Sequence, residues 1–99
     1  MTENDKKALL RDINATARML DYFRKERNEI HEKLLQLENR EKIANTIELQ
    51  LHIFTVINTL HDLMHAYINE AASEGYEVIW EGLKAVKIEE KGDKNDWKR

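Results

Sequence analysis

The stretch Leu49–Ile68, LQLHIFTVINTLHDLMHAYI, decides how this chain folds. It contains no Gly, Pro, Lys or Arg. At the helical spacing of about 100° per residue, Leu49, Ile53, Val56, Ile57, Leu60, Leu63, Met64, Tyr67, Ile68 and Ala71 fill one side, and Ile47, Phe54 and Ala72 widen it. Thr55, Asn58, Thr59, Asp62, Asn69 and Glu70 occupy the other side. The apolar arc spans about half the circumference, wider than a two-helix seam needs. One neighbouring helix cannot cover it, and left bare it is a sticky patch. The expectation is therefore a helix at the centre of an oligomer, in the simplest case a dimeric four-helix bundle. Leu49, Ile53, Val56, Leu60, Leu63 and Tyr67 are the expected interface residues.

The neighbouring helix lies upstream. No glycine or proline occurs before Gly75, which favours long helices. Leu9, Ile13, Thr16, Leu20, Phe23, Arg27, Ile30, Leu34 and Leu37 alternate in steps of four and three. That heptad seam predicts a coiled-coil-like helix over about 3–41. A break is expected near 42–45, because Asn45 followed by Glu48 resembles a capping box. The second helix then covers about 46–74 and ends at Gly75; an unbroken helix through residue 42 is the alternative. The fold class is thus mainly α, a long antiparallel helical hairpin.

The segment 76–89 reads two ways. Tyr76, Val78, Ile79 and Trp80 form strands well, Glu81-Gly82 can turn, and Val86 and Ile88 alternate, which predicts a small β-hairpin. Tyr76, Ile79, Trp80, Leu83 and Val86 also fit helical spacing, although Gly82 weakens a helix by about 1 kcal/mol. From Lys91 onward the sequence reads as a flexible tail, so residues 1–90 form one domain.

Composition narrows the function classes. With no cysteine there is no disulfide framework, thiol nucleophile or thiolate metal site. The N-terminal stretch lacks the apolar core of a signal peptide, and no apolar run approaches the roughly 20 residues of a membrane span, so a cytoplasmic location is expected. Charge is unevenly spread. Residues 43–83 carry no Lys or Arg, and their acids are Glu48, Asp62, Glu70, Glu74, Glu77 and Glu81. In the first helix Arg11, Arg18, Arg24, Lys25 and Arg27 are interleaved with Asp12, Asp21, Glu26 and Glu29, so no basic stripe forms and nucleic-acid binding is disfavoured.

Two features could carry chemistry. His61-Asp62-Leu63-Met64-His65 resembles the H-E-x-x-H motif of zinc hydrolases, in which two histidines four apart project from one helical face. Asp62 stands where the motif has Glu and is one methylene shorter. If the helices turn near 43–44, residue i faces roughly 87 − i, which brings Glu26 near His61 as a third zinc ligand. The competing reading places both histidines where the apolar arc meets the polar side, apolar in the ring and polar at the tip. Arg27 is the second feature, since it interrupts the seam between Phe23 and Ile30. It can form a polar layer with His61 that fixes register, lay its stem along the seam with its head in water, or hold a ligand anion. No nucleophile with a neighbouring base and no phosphate loop is visible. These readings point to a non-enzymatic, homo-oligomeric interaction module that binds another protein, with a His61/His65 metal- or ligand-binding bundle as the alternative and weak nucleic-acid binding third.

Overall fold

The computed structural model describes residues 1–91. Two long helices are followed by an antiparallel β-hairpin: α1 Glu3–Leu34, α2 Arg40–Ser73, β1 Tyr76–Glu81 and β2 Lys84–Glu90. The chain divides into two compact units. One joins Met1–Ala17 to the residues from Met64 onward, and the other is Arg18–Leu63. The expected tail lies, from Gly92 on, outside the described residues.

Helix α1 begins at a capping box. Thr2 Oγ1 accepts from the Asp5 N–H and Asp5 Oδ2 accepts from the Thr2 N–H, both at 3.1 Å, so two free donors of the first turn are satisfied reciprocally. The Thr2 N–H and hydroxyl hold the Asp5 carboxyl below its ordinary range.

The helix stops earlier than the heptads predict, at Leu34 rather than near residue 41. Asn39, not Asn45, caps the next helix. Its Oδ1 accepts from the N–H groups of Glu41 at 2.9 Å and Lys42 at 3.2 Å. Asn45 lies inside α2. Both asparagines are chemically competent caps, and the Glu three residues after Asn45 lent it extra weight in the sequence. The break instead falls at 35–39, where the side chain of Leu35 stays exposed.

In the unit built from the chain ends, α2 terminates by tightening. Glu74 N–H donates to Ala71 O and Gly75 N–H to Ala72 O, and Gly75 takes φ +84°. That left-handed conformation is costly for a residue with a Cβ, so glycine suits the helix end. The hairpin then forms around Gly82, at φ +60°, with Leu83 beside it at negative φ. Glycine at the first position of a two-residue loop matches the type II′ turn, whose twist suits antiparallel strands.

The strands pair Tyr76 with Glu90 through Ile79 with Lys87, then Trp80 with Ala85 and Glu81 with Lys84. The register slips between Ile79 and Trp80, which leaves Val86 as an extra residue in β2. The bulge has a packing consequence. Simple alternation puts Val86 and Ile88 on one face, but the slipped register buries Ala85 and Ile88 and leaves Val86 half-buried. Ala85 and Ile88 complete a core with Leu9, Ile13 and Ala71, against which Leu10, Met64, Tyr67, Tyr76 and Val78 pack. Ile13 is wholly inaccessible. Burying a side chain of that size contributes about 1.5–3 kcal/mol.

In the other unit, Leu20 and Ile30 of α1 and Ile53, Ile57 and Leu60 of α2 are buried. The cross-helix contacts, Arg24 with His61 and Arg27 with Phe54, show the two segments running antiparallel.

Candidate interaction surface

Helix α2 supplies the surface because its apolar arc is broader than the buried stripe within its unit. Along the stripe, Ile53 and Leu60 are only 8% and 7% exposed. On one flank a file spaced seven residues apart, Leu49, Val56 and Leu63, remains 49%, 38% and 37% exposed. On the opposite flank Ile47, Leu51 and Phe54 are 43%, 59% and 39% exposed. Helical spacing places the two groups on either side of the buried stripe. Neither flank contains Lys or Arg of its own, and the cation that reaches one of them is Arg27 of α1, at Phe54.

The expected interface residues therefore divide. Leu49, Val56 and Leu63 are accessible, Ile53 and Leu60 are buried within their own unit, and Tyr67 packs against the core of the chain-end unit. Leu51 was absent from the arc read in the sequence, because it sits beyond the edge of the continuous apolar side.

The polar residues are arranged differently from the expected layer. His61 Nε2 lies 2.9 Å from Nη2 of Arg24, one helical turn before Arg27. A guanidinium only donates, so in this contact the ring accepts through Nε2. Arg27 instead places its guanidinium 5.8 Å from the centre of the Phe54 ring, within cation–π range. Both contacts fall within a few residues of the predicted register. Arg24 gave no signal beyond its charge, because it sits outside the heptad seam.

Of the residues named for a metal, His61 has Nε2 committed to a cationic partner, which opposes a second cation there. His65 is exposed and Glu26 is half-buried. Among the described residues, no three His, Asp or Glu side chains are grouped closely enough to hold a metal ion. No described helix is long and apolar enough to cross a membrane.

The chain-end unit carries two polar features. Met1, Leu9 and Tyr67 line a shallow cleft of about 330 Å³ together with Asp5, Asp12, Glu70 and Glu74. The Met1 amino group lies 3.8 Å from Glu74 there. The second feature is Asn14, which sequence reading passed over. Its Nδ2 donates to Ala85 O and its Oδ1 accepts from the Ala85 N–H, both at 2.8 Å. One side chain thus mimics a neighbouring strand along the outer edge of β2. An Asn in the middle of a helix, where propensity disfavours it, was the available signal.

No family model, curated protein or solved structure matches this chain. The functional reading therefore stands on the side chains themselves.

Proposed function

We propose that this chain is a non-enzymatic, cytoplasmic, homo-oligomeric interaction module, a small regulator, adaptor or inhibitor that also binds a larger protein. The observation that carries this is the file Leu49, Val56 and Leu63, which stays open to solvent beside the buried Ile53 and Leu60. A seven-residue repeat in an exposed file suits a second helix packing alongside. Ile47, Leu51 and Phe54 offer a further apolar flank. Exposed apolar surface of this extent on a small chain marks a contact site. The first partner is a second copy, forming a helical bundle through α2. The lack of bases on the flank lowers the desolvation cost of such a contact.

Light scattering and sedimentation velocity at micromolar concentration test it. The unaltered chain sediments as a dimer or larger species. Val56→Lys with Leu63→Lys shifts it to monomer while circular dichroism keeps its helical signal. A compact, stable monomer of the unaltered chain across that concentration range removes the reading.

A further inference from the structure

The two strands of the hairpin are not equivalent. Every buried residue of the hairpin belongs to β2, and none of the six residues of β1 is buried. The outer edge of β2 is also closed, since Asn14 takes both backbone groups of Ala85. Among the described residues, nothing hydrogen-bonds the outer edge of β1.

The hydrogen-bond alternation shows which groups line that edge. Lys91 N–H donates to Gly75 O at 2.9 Å, continuing the register in which Tyr76 faces Glu90. Gly75 and Lys91 are therefore a bonded pair, and so, alternately, are Glu77 with Glu89 and Ile79 with Lys87. Beyond the bulge, Glu81 and Lys84 close the turn, and Trp80 with Ala85 is a pair whose backbone groups point outward. The bonds from Ala85 to Asn14 agree with that assignment. The N–H and C=O groups of Tyr76, Val78 and Trp80 thus line the free edge of β1, and no described residue bonds them.

Natural edge strands are usually blunted by a Lys, a Pro, a bulge or a covering element. β1 has neither Lys nor Pro, its only charged residues are the acids Glu77 and Glu81, and the bulge is in β2. Its edge residues instead form a self-complementary pattern, Tyr76-x-Val78-x-Trp80, with an aromatic on each side of a central valine.

We infer that β1 pairs antiparallel with β1 of a second copy, with the two Val78 residues opposite each other on a two-fold axis, to give a continuous four-stranded sheet. In that register Tyr76 faces Trp80 of the other copy, a favourable cross-strand aromatic pair. Glu77 faces Ile79 and Glu81 faces Gly75, so no acid is placed directly opposite another. Shifting the register by two residues in either direction sets acids against each other, Glu77 against Glu77 or Glu77 against Glu81. Charge therefore selects the Val78-centred pairing over its neighbours. The two-fold is isologous, as in most homodimers. This contact rests on the reading of the chain as a homo-oligomer but uses a surface separate from the α2 flanks.

Amide hydrogen exchange on the full chain, at concentrations above and below assembly, tests it residue by residue. The expected result is that the amides of Tyr76, Val78 and Trp80 slow by about tenfold or more on assembly, while Glu77 and Ile79, bonded to β2, are protected at both concentrations. Val78→Pro removes an outward N–H, at a position where edge strands tolerate proline, together with part of the valine's packing on the core. It reduces the assembled mass and abolishes the protection of Tyr76 and Trp80, with Glu77 still protected. If the chain assembles while the amides of Tyr76, Val78 and Trp80 exchange at the same rate at both concentrations, the edge pairing is wrong and the α2 interface stands. A monomer at every concentration overturns both. Should Val78→Pro unfold the hairpin, the concentration dependence in the unaltered chain decides alone.

Discussion

The two units use similar helical material and finish it differently. In the chain-end unit α1 and α2 are joined by a hairpin, and that third element brings Ile13 and Ala71 to zero exposure. In the Arg18–Leu63 unit only the two helices are present, and the best-buried residue, Ile57, keeps 4%. Among the described residues, every large apolar side chain that stays exposed, except Trp80 and Leu83, belongs to the Arg18–Leu63 unit. Two helices have a seam, whereas two helices with a sheet have an interior. The wide arc of α2 is the same kind of sequence in both places, and what differs is whether the chain itself supplies the element that covers it.

The largest expected effect tests that contrast directly. Ile13→Ala removes atoms from a site with no solvent contact, in a core that three elements prevent from collapsing freely. It should lower unfolding free energy by about 2–5 kcal/mol. Val56→Ala, measured at dilution below assembly, should stay within about 0.5 kcal/mol of the parent, as for an exposed position. Denaturant unfolding of the two variants checks the pair. Equal losses would mean that the two units are finished alike, and the comparison would fail.

A smaller effect sharpens what the third element requires. Asn14→Ala leaves the part-buried N–H and C=O of Ala85 without their bonds, at a cost of about 1–3 kcal/mol. Asn14→Asp retains the acceptor for the Ala85 N–H but sets a carboxylate oxygen against Ala85 O, so its loss should be comparable. Hydrogen exchange at the Ala85 amide should accelerate in the alanine variant while α2 amides between Ile53 and Leu60 are unchanged. An Asn14→Ala protein as stable as the parent would show that the hairpin is held by its apolar face alone.

These contrasts explain how much was legible beforehand. The seam of α1 was readable because Leu9, Ile13, Thr16, Leu20 and Ile30 follow one period over many turns, and all five are buried. The hairpin was readable from Gly82 and the strand formers around it. The excess width of α2 was readable because periodicity reports the size of an apolar face, whatever covers it. The break at 35–39 was not, since no Gly or Pro marks it and two asparagines compete as caps. The bulge that buries Ala85 in place of Val86 was not, because register depends on pairing geometry that alternation does not encode. Arg24 and Asn14 were missed for a related reason. Each acts through a partner far along the chain, His61 and Ala85, and a polar residue on a helix looks solvated until that partner is placed.

The smallest effect concerns the start of α1, which belongs to the unit with the closed core. Thr2→Ala removes a side-chain acceptor from the capping box, and helix caps of this kind contribute about 1 kcal/mol. Acid probes the other half of the box. The Asp5 carboxyl is held below its ordinary range, chiefly by the Thr2 N–H and then by the Thr2 hydroxyl. A carboxyl lowered on folding stabilises the native state above its unfolded value, and that contribution fades as pH falls through the folded value. The window therefore lies at and below the ordinary carboxylate range, and nothing from this box changes near neutrality. Asp5→Asn removes the titrating group, so its unfolding curve between neutral and acid pH should fall less steeply than the parent's. Because the box is fully solvent-exposed and other carboxylates titrate nearby, the comparison must be parent against variant at each pH. A parent and an Asp5→Asn protein with parallel acid profiles would show that the cap is formed but energetically silent, and that the closed core alone sets the stability of its unit.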